Sequence, residues 1–539
     1  MHLPDVFESS YKGYDRYPEQ LVCQGPFPLV LQTYRSRLDN VAPNLFIEDN
    51  ATGHVPFRDW VDATQTFERD TVADDEQLKQ RLGDHSTIDP LTLKPVGAVA
   101  TKRDPKCRFI FLSAGPDGHS RQRLKTSRRM LTRILSYHQV MPDYLDLICL
   151  FGLSAQPRDL RFSCFREQTL LGDCFRRSAV PELGRSGQQF QLCYNLKAPF
   201  CSSAAAPSPK DKEWWIRKVA VHHQFDTIQG TTLWIIAKGN LEFKDLVQKM
   251  TGKTGRPEDR AFGAPQESFV SSLAIHLLHC HWSTDEWRWY IQWLEDVVDS
   301  YTDIAVSGPR EKSDARYEYS TRHLQDIQYY EGKSNEAVTI LEGNIEVISA
   351  LRAYYQGLLG HDDFPLRNSC HQNITGFAIE LDKRVYELRM QISRAKLLTR
   401  TTADTKSLIL QHLQTQGTEE METMTKNMHQ IGVMAQEETI AVRIVTVVTL
   451  IYLPATFVST FFSTDVVKYQ SQSGGPDGSQ DVQTSGASFS QLALDRWLEL
   501  ALPLTATTLS LGYIWYRIAK RKRQSLLPFF HVDARIPLR

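Results

Sequence analysis

Apolar and polar positions change rhythm sharply along this chain, and the sharpest change lies near residue 440. From Ile444 to Thr464 there are 21 consecutive residues without a charge. At ~1.5 Å per helical residue they span about 31 Å, the ~30 Å hydrocarbon thickness of a bilayer. The pattern predicts a membrane-spanning helix over residues 440–464. A second uncharged run of 17 residues, Leu500 to Tyr516, is flanked or tipped by Trp497, Tyr513, Trp515 and Tyr516. Aromatic residues gather at membrane interfaces in this way, so a second span is predicted over 497–516. Two buried helices of a soluble domain are the other account of the same runs. Upstream, Leu410, Leu413, Gly417, Met421, Met424, Met428, Ile431 and Ala435 step by three and four, a heptad-like seam. No proline lies between Pro365 and Pro454, so a single stalk helix can carry the seam into the first span. An ordinary intramolecular helical hairpin is the alternative.

Earlier in the chain the apolar runs are short. "CRFIFLSA", "YLDLICLFG", "QFQLCYNL", "RKVAVHHQF" and "TTLWIIAKG" read as strands between polar breaks. With helical patterns around them they predict an α/β layer domain over 91–260, interrupted by a loop at "FCSSAAAPSPKDKE". From "HWSTDEWRWYIQWLEDVV" onward the pattern is helical. Ser283 and Glu286 have the spacing of a capping box, followed by Trp287, Tyr290, Ile291 and Leu294 at helical intervals. The predicted organisation is an irregular or helical N-terminal region (1–90), the α/β domain (91–260), and a helical region with the stalk (261–439). The first span (440–464), an extracytosolic loop (465–496), the second span (497–516) and a basic tail (517–539) follow. In fold class this is an α+β cytosolic domain with a long stalk helix and a two-helix transmembrane hairpin.

Composition narrows the field. Sixty-two basic against 63 acidic side chains give a net charge of −1, which offers nucleic acid no global attraction. A mean hydropathy of −0.36 with 41% hydrophobic residues suits a mainly soluble protein with few spans. The nine cysteines (Cys23, Cys107, Cys149, Cys164, Cys174, Cys193, Cys201, Cys280, Cys370) show no paired CxxC rhythm, which favours reduced thiols in a cytosolic compartment. "MHLPDVFESSYKGYDRYPEQ" has no apolar core and carries acids, unlike a secretory or mitochondrial presequence. Arg517, Lys520, Arg521, Lys522 and Arg523 follow the second run and Arg443 precedes the first, whereas the connector holds four aspartates against Lys468 and Arg496. The positive-inside rule then puts both termini in the cytosol, with the plasma membrane favoured over an organelle. The connector's Gly/Ser/Gln-rich centre has the composition of a disordered segment.

On a helical wheel the first span's five threonines, Thr446, Thr449, Thr456, Thr460 and Thr464, fall at about +20°, −40°, −60°, −20° and +20° from Leu453. Such a hydroxyl stripe has two accounts. Threonines can donate to their own helix carbonyls and stay inert in lipid, or the stripe can face a polar path or a neighbouring helix. Alignment on one face favours the second. The candidate path-lining residues are Thr449, Leu453, Thr456, Thr460 and Thr464. Pro454 is a candidate kink, for which Thr449 and Thr456 are near enough to satisfy the freed carbonyl. Asp465 stands at a candidate outer mouth as the candidate cation ligand, since a ring of carboxylates concentrates cations at a pore entrance. Alone, Asp465 is just the first polar residue after a span.

Other motifs carry less. "TGKTG" (251–255) contains the Gly-Lys-Thr of a phosphate loop, but Val247 stands where the earlier glycine must be, so no nucleotide is expected. His276, His279, Cys280 and His281 have no second ligand cluster at a zinc-finger distance and read as packed helix. The sequon at Asn373 is void in the cytosol. Asp74-Asp75-Glu76 and Asp362-Asp363 read as solvated loops. No nucleophile elbow or His-Glu-x-x-His is present. No enzyme activity and no cofactor are expected.

The membrane segment resembles the CorA family of divalent-cation channels. That family has a P-x-T-F core, matched by Pro454, Thr456 and Phe457, then an aromatic, matched by Phe462. The family's Gly-Met-Asn selectivity triplet is replaced here by Ser463-Thr464-Asp465. The stretches "WWIRKVAVHHQFD…TLWIIAKGN", "EWRWYIQWLE" and "LQDIQYYEGKSNEAVTILEGNIEVISAL" are similar to CorA-like proteins of filamentous fungi, in which the triplet is often replaced. The resemblance implies a pentameric funnel, self-association in a lipid bilayer, and transport of Mg²⁺ or a related divalent cation driven by membrane potential. The rival expectation is a membrane-anchored sensor or scaffold that kept the fold and does not conduct.

Overall fold

Residues Thr232–Lys238 are buried at every position, the signature of a strand covered on both faces. They form the centre of a seven-stranded sheet in a computed structural model that describes residues 3–23, 27–88, 95–100, 102–114, 121–172, 175, 178–202, 213–238, 242–307, 320–463 and 491–525. The chain divides into two units, Met1–Gln414 and Thr415–Arg539.

The strands in chain order are β1 (Phe46–Ile47), β2 (Val55–Val61), β3 (Thr66–Val72), β4 (Asp84–Ile88), β5 (Pro95–Ala100), β6 (Cys107–Ser113), β7 (Leu124–Ser127), β8 (Phe165–Leu170), β9 (Gln189–Cys201), β10 (Trp214–Asp226) and β11 (Thr232–Lys238). The helices are α1 (Asp5–Lys12), α2 (Pro28–Leu45), α3 (Asp75–Leu82), α4 (Arg128–His138), α5 (Tyr144–Ile148), α6 (Glu242–Met250), α7 (Pro265–Asp285), α8 (Trp287–Ser307), α9 (Thr321–Leu358), α10 (His371–Ser463) and α11 (Gln491–Ser525). The main sheet has the order β3-β2-β6-β11-β10-β9-β8, with β6 and β11 parallel and the other neighbours antiparallel. Exposed Glu68, Arg69 and Asp70 blunt the β3 edge against pairing with another chain.

Side chains of β11 alternate between two cores. Leu233, Ile235 and Ala237 join residues of α1 to α5, while Trp234 and Ile236 join residues of α6 to α9 and the first turns of α10. The hairpin from β10 to β11 needs Gly230 at φ +68°, where an added Cβ would stand 2.5 Å from the Cα of Pro265.

Several sequence expectations change here. The sheet takes β2 and β3 from inside 1–90, so the layered domain begins well before residue 91. "YLDLICLFG" is no strand. Its first residues form the short helix α5, whose buried Tyr144 donates to the carbonyl of Ile235 at 3.0 Å. A short apolar run fits a buried helix as well as a strand. The expected cap at Ser283 also fails. Ser283 lies within α7 and its hydroxyl donates to the Cys280 carbonyl at 2.7 Å. The break falls at Glu286, after which the Trp287 indole donates to the Ser283 carbonyl at 2.9 Å. Trp287, Tyr290, Ile291 and Leu294 are all buried, as their spacing required. The centre of the expected loop, 203–212, lies outside the described residues. The eight described cysteines are free thiols.

The cores contain polar groups whose partners are specific. Asp59 receives Arg108 through two bonds of 2.9 and 3.0 Å and Arg81 at 2.9 Å. Burial pushes its carboxyl up, but Arg108 and Arg81 outweigh that and hold it below the usual range. Lys197 and Lys218 face each other across β9 and β10. Lys197 donates to Ser163 Oγ and Lys218 to the Leu150 carbonyl. Burial, and for Lys197 its lysine neighbour, push them down to about 7 and about 8. Between sheet and helices runs a hydrogen-bonded chain. Tyr194 Oη meets His276 Nδ1 at 2.7 Å, His276 Nε2 meets His223 Nδ1 at 3.1 Å, and His223 Nε2 meets Thr232 Oγ1 at 3.0 Å. His279, beside it, packs among the rings of Phe243, Tyr194 and Trp282. Among the described residues neither of its ring nitrogens has a hydrogen-bond partner.

Two outcomes follow for the stability of the full chain. Asp59→Ala strands the buried Arg108 guanidinium and should cost about 3–5 kcal/mol, read as a large drop in the thermal unfolding midpoint. Burial lowers His279 to about 3, so below about pH 6.5 the unfolded chain takes a proton that the folded chain refuses. That stability is intact above pH 6.5 and drains away as pH falls toward 3, at ~1.4 kcal/mol per pH unit. His279→Phe should remove this share of the slope between pH 6 and 4 in denaturation curves, leaving stability at pH 8 nearly unchanged.

Candidate functional site

In the second unit the candidate residues sit on α10, whose 93 residues contain both the seam and the first uncharged run. Every residue from Met421 to Thr449 is exposed, including Met421, Met424, Met428 and Ile431 of the seam at 64–70%. Among the described residues one helix is long and apolar enough to cross a membrane, over His371–Thr460, and only 6% of its apolar window is buried. The expected second run is helical throughout, within α11, yet it does not meet that standard. Its 17 uncharged residues give about 26 Å of helix, short of ~30 Å of hydrocarbon.

α10 and α11 touch at identifiable points. The Trp497 indole donates to Ser459 Oγ at 3.0 Å, and a Cβ built on Gly512 would lie 3.4 Å from Leu450 Cδ2. Pro454 and Val458 of α10 are buried. On α11 Ala501 is buried, with Trp497, Thr505, Thr508 and Gly512 partly so, a face of mostly small residues at intervals of three and four. Small side chains let helix backbones approach closely where no hydrophobic effect drives them together.

The threonines lie elsewhere on α10. Thr446, Thr449, Thr456 and Thr460, with Leu453, are exposed. Pro454 and Val458 lie at about +100° and +140° on the wheel that puts the stripe near −20°, so the stripe is turned roughly 140° from them. Each hydroxyl is satisfied within its own helix. Thr446 donates to the Val442 carbonyl at 2.6 Å, and Thr449 to that of Thr446 at 2.9 Å. Thr456 reaches the Tyr452 and Leu453 carbonyls, both at 3.0 Å. Thr460 reaches those of Thr456 and Phe457, both at 2.9 Å. Donation inward leaves the oxygen lone pairs as the outward polar feature.

Pro454 sits inside α10 and cannot donate to the Leu450 carbonyl. The expected hydroxyl help is not given there: Thr449 and Thr456 point to the carbonyls just named. Ser463 ends α10, its hydroxyl donating to the Thr460 carbonyl at 3.0 Å. Thr464 and Asp465, the rest of the outer mouth, lie outside the described residues.

The motifs of the first unit have structural roles. Thr251 closes α6, donating to the Val247 carbonyl at 2.6 Å and accepting from Arg58 at 2.9 Å. Asp74 caps α3 through the Gln77 amide at 2.8 Å, Asp75 holds Arg133 and Arg129, and Asp362 holds Arg367. His276, His279 and Cys280 are buried in α7. Among the described residues no group of three or more His, Cys, Asp or Glu could hold a metal ion. Ser459, Trp497 and Gly512 were invisible as a set in the sequence, since nothing local marks which small or polar residue of a span meets the other helix.

Residues 9–306 match the family model of the CorA-like transporters, more than half of the chain. The chain belongs to the CorA-like family. Membership places it among membrane-associated proteins that transport metal ions, typically as oligomers, and not among enzymes. A solved structure titled "structure of the full-length CmaX protein" is similar at a TM-score of 0.32 and 11% identity, covering 88% of this chain and 99% of that one. No curated protein matches.

Proposed function

We propose that copies of this chain assemble around a shared axis as a divalent-cation channel of the fungal CorA-like kind. Thr449, Leu453, Thr456, Thr460 and Thr464 line the path, and Ser463, Thr464 and Asp465 form the outer mouth. One observation carries this. The threonine stripe is the face of α10 turned away from α11, so it is left for sister subunits and an axis. Hydroxyls that donate inward present oxygen lone pairs outward, which suits a hard cation with its water shell. Self-association, as a pentamer by family likeness, is supported by the exposed methionines of the seam, an apolar strip that calls for a partner. α11 completes the hairpin as the second span, which puts both termini in the cytosol of a plasma-membrane protein. Mg²⁺ or a related ion enters passively. A potential of 100 mV contributes about 4.6 kcal/mol for a divalent ion.

The rival reading, a scaffold that does not conduct, is favoured by one fact: the threonine hydroxyls need no partner outside their own helix. Uptake of Mn²⁺ into proteoliposomes separates the two. Under an inside-negative potential the unaltered chain should load the vesicles. Thr456→Leu and Asp465→Ala should abolish loading, and Thr456→Leu, at an exposed position, should change stability by no more than ~0.5 kcal/mol. Absence of flux for Mg²⁺, Mn²⁺, Co²⁺ and Ni²⁺ would establish the scaffold. In the same preparation Met424→Glu with Met428→Glu, which charges the seam, should lower the oligomer mass in detergent.

A further inference from the structure

A helix in hydrocarbon has no hydrophobic effect to set its rotation about its own axis, since lipid tails are as apolar as leucine. Something else must aim the threonine stripe. α10 meets α11 at two places that bracket their contact. Leu450, against Gly512, lies at about +60° on the wheel and Ser459, bonded to Trp497, at about −120°. They are therefore on opposite edges of the packed face and about 14 Å apart along the helix. Two contacts so disposed resist turning in either direction. One is a packing contact: the Leu450 side chain lies over Gly512, its Cδ2 3.4 Å from where a Cβ would stand, an ordinary van der Waals distance. The other is directional, because an indole has a single N–H, which here ends on Ser459 Oγ at 3.0 Å. Ser459 also differs from its neighbours, for Thr456, Thr460 and Ser463 all spend their hydroxyl protons on their own backbone.

We propose that Trp497 and Ser459 are positioning residues that lock the rotation of the pore-lining helix, with Gly512 as the opposing stop. The lock rests on the channel reading above. It places Thr456, about 60° from Ser459 on the wheel, at a fixed angle to the axis. Loss of the bond lets the helix roll, and apolar side chains such as Val448 trade places with the threonines.

The test uses the full chain in proteoliposomes and a membrane-impermeant thiol reagent. Thr449→Cys and Val448→Cys are adjacent in sequence and about 100° apart on the helix. In the unaltered background Thr449→Cys should react several-fold faster than Val448→Cys. Trp497→Phe, which keeps the ring and removes the N–H, should shrink that ratio by roughly threefold, the population change an interhelical hydrogen bond in a bilayer supports. Ser459→Ala should do the same, the double variant should do no more than either, and Ser459→Thr should restore the ratio. A ratio unmoved by both single variants overturns the lock while leaving the channel reading intact. A ratio near one in the unaltered chain overturns the threonine-lined path, and the lock falls with it. Unchanged oligomer mass in detergent shows that the variants are folded.

Discussion

The constraint on which the candidate span depends is that hydrocarbon offers no hydrogen bonds. In the uncharged run of α10 such groups have to be met by the chain itself, and Thr446, Thr449, Thr456 and Thr460 all donate to carbonyls of their own helix. The back-bonded hydroxyls remove the cost of carrying oxygen through lipid. What would be a burden on a greasy helix becomes an affordable row of acceptors. Pro454 is the place where the rule is strained, because the Leu450 carbonyl loses its usual donor there. That residue lies in the buried face of α10, one turn after Leu450, which packs against Gly512.

In the first unit the governing condition is burial on both faces of one sheet. A strand such as β11 has no solvent side, so alternation is lost and position along the chain decides which core each residue joins. Polar groups caught in those cores are held by named partners, as Asp59 is by Arg108 and Arg81. The histidine chain from Tyr194 to Thr232 has the same character: neutral, hydrogen-bonded and shut off from water.

How much of this was legible beforehand differs by region. The long helix was readable because no proline interrupts it between Pro365 and Pro454 and its seam repeats over many turns. The strands around residues 107 and 232 were readable from continuous β-branched and aromatic runs. Tyr144–Ile148 was not, since four apolar residues around Asp146 fit either structure and the tertiary setting decides. The break at Glu286 was also missed, because Ser283 had a nearer carbonyl to bond than a cap to form. In the candidate path the stripe was visible from spacing alone, but whether its hydroxyls were satisfied locally was not. The family match falls on residues 9–306, within the first unit, while the expected filter triplet is replaced. Membership is thus carried by the sheet and its helices and not by the residues that would touch an ion.

The opposed Lys197 and Lys218 have one more effect. In an unfolded chain both would hold their protons to about pH 10.4, yet in the fold they let go near 7 and 8. Folding of this domain at mildly alkaline pH therefore expels protons to the solvent. By linkage, alkalinity draws the equilibrium toward the native state until the unfolded lysines also discharge. The two buried lysines thus contribute stability that grows as pH rises from about 7 toward 10.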